Sequence, residues 1–223
     1  MRPKDDYPRW SPDGREIAFT RPTEEGVAHA IPALGGAERR LYAGAATEFP
    51  NSFDWSPNGK FLAISESNRD RTHARITLLS LAGSGTRGLT EPGEQDLDIE
   101  PAFSPDGSTV AFVRSNVGGM VSELYVVPTS GGEARRLTFD QRTIWSLPAG
   151  MPDGNEIVFT SSRGGSSSNR YQDVRKFPKN AMCRECSVAS GKRRHDQQEE
   201  KAKQRRKVYM DYCRDGLVKM WIL

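Results

Sequence analysis

A turn of four residues, Ser-Pro-Asp-Gly or a close variant, recurs four times and constrains the fold more than any other feature. Its prolines, Pro12, Pro57, Pro105 and Pro152, are 45, 48 and 47 residues apart. Proline presets φ at the second position of such a turn, Asp or Asn hydrogen-bonds the backbone that follows, and glycine adopts the left-handed conformation. Each repeat is therefore predicted to contain a tight hairpin between two strands.

The residues around each turn predict further strands. An aromatic residue precedes the first three turns, and a short apolar run follows each turn. Third strands are predicted at Ala28–Ala33, Arg75–Leu81 and Glu123–Pro128, and short fourth strands ending at Leu41, Leu89 and Leu137. Because four strands in 45 to 48 residues are typical of one propeller blade, the predicted fold is all-β, a partial β-propeller of about three and a half four-stranded blades.

The expected domain organisation has two parts. Residues 1–169 hold the propeller repeats, and residues 170–223 form a basic tail, expected to be disordered or non-native. The predicted blades span residues 5–45, 50–91, 98–140 and 144–169.

Charge and composition change at the expected boundary. Residues 1–169 carry a net charge of −5, whereas residues 170–223 carry +8, all three cysteines, two glycines and one proline. We hypothesise that the reading frame shifts near residues 166–169, which translation of the gene's other frames would test. The competing interpretation is a genuine basic extension.

Composition also bears on location. No run approaches the roughly 18 to 20 apolar residues that a membrane helix needs, so no membrane association is expected. The first six residues lack the apolar stretch of a secretory signal, and a cytoplasmic location is therefore expected.

The repeats resemble the WD40-like propeller repeat of the TolB type, with its Trp-Ser-Pro-Asp-Gly hairpin. The segments Gly131–Asp140 and Pro152–Phe159 are more similar to the propeller part of bacterial transcriptional regulators that carry an N-terminal winged helix. This resemblance covers roughly residues 5–168. It implies a propeller of about six blades and a sensory or protein-interaction role, or a periplasmic location if the protein is TolB-like.

Two groups of acidic residues are candidates for chemistry. Asp13, Asp106 and Asp153 occupy the turns, where Asn58 stands in the second repeat, and an amide serves a turn as well as a carboxylate does. We therefore interpret these residues as structural.

The second acidic group is Asp96, Asp98 and Glu100, which alternate and would share one face of an extended strand lining the propeller channel. A calcium or cationic-ligand site there is one interpretation. A solvated acidic entry loop is favoured, because the other repeats offer few acids nearby.

Cys183 and Cys186 have a CxxC spacing, but a second close pair of zinc ligands is missing, since His195 and Cys213 lie 18 residues apart. The basic run from His195 to Lys207 contains no aromatic residue that could stack on a base. We therefore expect neither a zinc site nor specific nucleic-acid binding.

Related propellers cap prolyl-oligopeptidase-type catalytic domains, so a serine peptidase is an alternative class. The chain contains no Gly-x-Ser-x-Gly elbow, and none of its histidines, His29, His73 and His195, lies in a recognisable triad context.

The sequence accordingly assigns no catalytic, cofactor-binding or metal-binding residue and no cofactor. The predicted function is non-catalytic: a propeller that binds a protein or small ligand at its face or channel, as the sensory part of a transcriptional regulator. The alternatives are a TolB-like periplasmic interaction protein and the propeller domain of a serine peptidase.

Overall fold

The computed structural model describes residues 5–21, 28–42, 52–68, 72–83, 85–119, 121–139, 141–144, 148–154, 156–161 and 171–176. All of them fall within one compact unit, Met1–Ala181. Their regular secondary structure consists of fifteen β-strands, which confirms the predicted all-β class. No helix in these residues is long and apolar enough to cross a membrane.

The strands follow the four repeats, and neighbouring strands of each repeat pair antiparallel. Blade 1 consists of β1 (Asp6–Trp10), β2 (Glu16–Thr20), β3 (Ala28–Pro32) and β4 (Arg39–Tyr42). Blade 2 consists of β5 (Phe53–Trp55), β6 (Phe61–Ser67), β7 (Ala74–Ser80) and β8 (Thr86–Gly88). Blade 3 consists of β9 (Asp96–Phe103), β10 (Thr109–Asn116), β11 (Ser122–Pro128) and β12 (Arg135–Arg136). Blade 4 consists of β13 (Ala149–Gly150), β14 (Glu156–Ser161) and β15 (Tyr171–Lys176).

The third and fourth strands of the first three blades lie where the repeats predict them. The third strands agree to within one residue at each end. Strands β8 and β12 end just before Leu89 and Leu137, whose N–H groups donate to the carbonyls of Ile76 and Leu124, each at 2.7 Å. These bonds tie both leucines to the third strand of their own blade.

Blade 4 extends past the expected boundary at residue 169. Strand β15 pairs with β14 from Glu156–Lys176 to Ser161–Tyr171. The sequence here shows no alternation of apolar and polar residues, but backbone pairing with a neighbouring strand requires none. Residues 177–223 lie outside the described residues, and with them most of the predicted tail.

Each blade has two distinct faces, set by the alternation of side chains along its strands. We call the face toward the preceding blade the leading face and the opposite one the trailing face. Leu62 and Ile64 of blade 2 pack on Ala18 and Ala30 of blade 1. In the same way, Val110 and Phe112 of blade 3 pack on Ala63 and Ile76 of blade 2, and Phe159 of blade 4 packs on Leu124 and Leu137. Large apolar leading faces thus cover trailing faces, and these contacts form the core.

The first strands of the blades are neighbours. Strand β5 lies beside both β1 and β9, and β13 lies beside β9. This adjacency is that of the inner strands of a propeller, and it brings residues nearly fifty positions apart in sequence into contact.

Candidate functional site

The turn residues hold the hairpins closed. The hydroxyl of Ser11 donates to Asp13 Oδ1 (2.6 Å), the same oxygen accepts the N–H of Arg15 (3.1 Å), and Ser11 Oγ accepts the N–H of Glu16 (2.9 Å). Ser56 with Asn58, and Ser104 with Asp106, repeat the arrangement. The following glycines have φ between 68° and 71° in all four turns, the region that favours glycine. For Asp13, Asn58 and Asp106, this geometry is the turn role interpreted from the sequence.

The alternating acids of β9 do not share one face, contrary to the expectation for an extended strand. The pairing of β9 with β10 shifts register between Ile99 and Ala102, and Glu100 has a φ of 57°. This bulge turns Glu100 away from the line of Asp96 and Asp98. Asp96, the first residue of β9, accepts the N–H of Gly93 from the preceding loop (3.2 Å).

Asp98 forms a buried ion pair. Its carboxylate is fully buried and accepts two hydrogen bonds from the Arg114 guanidinium, at 2.6 and 2.8 Å. Asp5 and Arg21 occupy the equivalent positions of blade 1 and pair at 2.5 Å, with the guanidinium also bound to Glu38. The two arginines lie over Phe112 and Phe19 respectively. Asp98 is therefore a member of a repeated structural ion pair, and the described residues contain no group of three or more potential metal ligands.

Three other charged residues lie on adjacent inner strands, and the charge of Arg9 acts on both carboxyl groups among them. Arg9, Asp54 and Glu100 come from β1, β5 and β9, and we call them the inner-strand cluster. Asp54 Oδ2 accepts the N–H of Phe103 (2.8 Å), and Ser52 Oγ accepts the N–H of Glu100 (2.9 Å). These two bonds hold blades 2 and 3 in register where the carboxyl groups lie.

Both carboxyl groups of the cluster are poorly solvated. Burial raises the pKa of Asp54 to about 6, although the Phe103 N–H and the charge of Arg9 oppose the shift. Burial likewise raises the pKa of Glu100 against the charge of Arg9. Glu100 Oε2 is buried and accepts no hydrogen bond. Carboxyl groups with raised pKa values and a missing partner are typical of a binding site.

Of this cluster, only Glu100 belongs to the alternating acids that the sequence offers as candidates. Arg9 and Asp54 occupy the same position of successive repeats, three residues before the turn proline, where blades 3 and 4 have Ala102 and Ala149. Charged residues at a position that other repeats fill with alanine are the signal that could have identified them. Tyr7, at the position of Glu100 in blade 1, has a φ of 55°, and burial, assisted by the charge of Glu100, raises its pKa.

The remaining candidates lie elsewhere. His29 lies in β3 and stacks on Phe19 at 5.7 Å, and burial lowers its pKa. The N–H of His73 donates to Asn68 Oδ1 in the loop before β7. Cys183, Cys186, His195 and Cys213 lie outside the described residues.

Repeated antiparallel blades, packed leading face on trailing face around adjacent inner strands, define a β-propeller array. The chain belongs to the TolB beta propeller domain family, whose model matches residues 7–183.

Among the relatives is an uncharacterized peptidase of Bacillus subtilis, YuxL, which is 44% identical over 118 residues, 51% of this chain and 17% of the relative. A TolB homolog of Chlorobium luteolum is 28% identical over 128 residues, 57% of this chain and 27% of the relative. The chain spans between 17% and 49% of the length of the curated relatives it matches.

Solved structures share the fold. TolB from Acinetobacter baumannii superposes with a TM-score of 0.64 at 20% identity, covering 78% of this chain and 41% of that one. A puromycin-hydrolyzing peptidase of Mycobacterium tuberculosis superposes with a TM-score of 0.56 at 20% identity, covering 77% and 29%.

Proposed function

We propose that the chain is a non-catalytic propeller module that binds a protein or peptide partner at its inner strands. The observation that carries this proposal is the convergence of Arg9, Asp54 and Glu100 from three successive blades. Propellers host unrelated functions, so the function is argued from this site rather than from the fold.

The chemistry of the cluster defines what a partner must offer. Glu100 has a buried oxygen without a donor, and burial raises the pKa of Asp54 to about 6. A positively charged group would pair with both carboxyl groups and lower both pKa values. A lysine or arginine side chain of the partner fits this requirement. Because Arg9 already offsets one of the two carboxylates, the cluster accommodates one such positive charge.

The larger protein that uses this module is proposed to be TolB-like or a peptidase. The identity to the Bacillus subtilis peptidase favours a propeller beside a peptidase domain, and the TolB homolog favours a TolB-like interaction protein, which the resemblance places in the periplasm. The predicted role as the sensory part of a winged-helix regulator receives no support from the relatives described above. No cofactor and no specific nucleic-acid binding enter this proposal.

Isothermal titration calorimetry with a short basic peptide tests the proposal. Acetyl-Gly-Lys-Gly-amide should bind, and its uncharged counterpart acetyl-Gly-Gln-Gly-amide should not. Glu100→Gln should weaken binding about tenfold, since the charge-assisted bond is lost. Asp96→Asn is the matched control, because it removes an acid of the same strand outside the cluster. Equal binding of both peptides, or equal losses in both variants, would contradict the proposal.

A further inference from the structure

Two inner strands carry the same backbone distortion. Tyr7 in β1 and Glu100 in β9 each stand five residues before the turn proline, and each lies in a break of the strand register. Their φ values are 55° and 57°, in the left-handed region. Blade 2 has Ser52 at this position, and its first strand pairs with β6 without a break. Bulges redirect side chains, and non-glycine residues with such φ values cluster at binding sites.

Tyr7 belongs to the surroundings of the inner-strand cluster. It lies two residues before Arg9 on β1, which neighbours β5, the strand of Asp54. Burial and, next, the charge of Glu100 raise the pKa of its hydroxyl. Only the small Ser52, which is 1% exposed, separates Tyr7 from Glu100 in the row of equivalent positions. Tyr7 itself is 37% exposed and therefore offers an accessible aromatic surface beside the carboxyl groups.

The carboxyl groups of the cluster lack a counterion in contact. Arg9 acts on Asp54 and Glu100 through its charge, but its guanidinium forms no ion pair with either of these described residues. All three residues are only partly buried, so a side chain from outside can reach the cluster.

The chain itself shows which cation combines with a carboxylate and an aromatic ring. Three arginines each pair with a carboxylate and lie over a ring, with the guanidinium carbon 4.8 or 5.0 Å from the ring centroid: Arg21 with Asp5 and Phe19, Arg114 with Asp98 and Tyr125, and Arg136 with Glu123 and Phe139. A planar guanidinium donates through its edge and stacks through its face at the same time. An ammonium group is a compact, strongly hydrated charge without such a face.

Given the proposed function of the cluster, on which this inference rests, we propose that the cationic group of the partner is an arginine guanidinium and that Tyr7 determines this preference. The guanidinium donates to the carboxyl groups of Asp54 and Glu100, and its face stacks on the ring of Tyr7. A lysine ammonium pairs with the same carboxyl groups but gains less from the ring. Tyr7 is thus a specificity-determining residue, and the partner is a peptide segment that presents arginine.

Calorimetric titration of the full chain with three matched peptides tests this preference. Acetyl-Gly-Arg-Gly-amide offers a guanidinium, acetyl-Gly-Lys-Gly-amide an ammonium, and acetyl-Gly-citrulline-Gly-amide the shape of arginine without its charge. The arginine peptide should bind about fivefold more tightly than the lysine peptide, and the citrulline peptide should not bind. Equal binding of the arginine and lysine peptides would overturn the preference and leave the proposed function standing. Binding of neither charged peptide would overturn both.

Variants of Tyr7 show whether its ring is the cause. Tyr7→Leu should weaken binding of the arginine peptide about fivefold and change that of the lysine peptide by less than about twofold. Tyr7→Phe should keep the preference, since the ring remains. Trp10→Leu is the matched control, because it removes another exposed aromatic residue of β1 outside the cluster. An unchanged preference in Tyr7→Leu would refute the role of Tyr7, and the ratio measured for the unmodified chain decides the arginine preference even if that variant does not fold.

Discussion

Blades 1 and 2 have equivalent apolar residues on their leading faces, but these residues lie in different surroundings. Trp55 and Leu62 of blade 2 are 7% and 0% exposed because the trailing face of blade 1 covers them. Their equivalents in blade 1 are Trp10, which is 41% exposed, and Ile17, which is only partly buried. The repeat therefore fixes which side chains belong to a leading face, but the neighbouring blade determines how much each one contributes to stability.

Truncating the tryptophans should show this difference most strongly. Trp55→Ala leaves a cavity between two blades and should lower the free energy of unfolding by about 4 kcal/mol. Trp10→Ala, at the same position of blade 1, should cost about 1 kcal/mol, since its ring keeps much of its contact with water. Urea unfolding followed by circular dichroism measures both. Similar losses in the two variants would mean that blade 1 has a covered leading face.

The two repeated ion pairs should differ in the same direction. Asp98→Asn leaves the Arg114 guanidinium without its counterion in a buried position and should cost about 3 kcal/mol. Asp5→Asn breaks the equivalent pair of blade 1, which is partly exposed to water, and should cost less than about 1 kcal/mol. The same unfolding experiment applies, with 0.5 M salt added as a second condition. Salt should weaken only the exposed pair, so a salt-sensitive Asp98 pair would contradict its burial.

The sequence predicts those parts of the fold that a local motif specifies, and not those that depend on packing between blades. The turns and strands are readable because Ser-Pro-Asp-Gly specifies a local conformation, and it does so in every repeat. The inner-strand cluster is not readable in this way, because its members approach only through the packing of three blades. The interpretation of Asp96, Asp98 and Glu100 as one acidic face failed since a single bulge at Glu100 reverses the alternation. Strand β15 has no signal of its own in the sequence, because it forms by pairing with β14.

The first strands of blades 1 and 2 carry opposite charges at the same position, Arg9 in blade 1 and Asp54 in blade 2. The folded-state pKa of Asp54, about 6, lies above its ordinary value of 3.8, so the folded chain holds this proton more tightly than the unfolded chain does. Folding stability should therefore fall as the pH rises from about 4 to 6, with the full loss present above that range.

Asp54→Asn removes this titration and keeps an oxygen that can accept the Phe103 N–H. The free energy of unfolding of the unmodified chain, relative to that of the variant, should fall by about 2 kcal/mol between pH 4 and pH 7. Unfolding at four pH values across this range measures the difference. A constant difference would show that Asp54 titrates normally and would remove one of the two perturbed carboxyl groups from the proposed binding site.

The smallest expected effect concerns the turn of blade 2, where Asn58 stands in place of the Asp of the other blades. Asn58 Oδ1 accepts from the Ser56 hydroxyl (2.8 Å) and from the Lys60 N–H (3.0 Å), so Asn58→Ala should cost about 1 kcal/mol. Asn58→Asp should change stability by less than about 0.5 kcal/mol, because a carboxylate oxygen accepts the same two bonds, as Asp106 does in blade 3. Thermal unfolding resolves the two cases. A large loss in Asn58→Asp would mean that the charge of this residue matters in blade 2, and it would separate this turn from its counterparts.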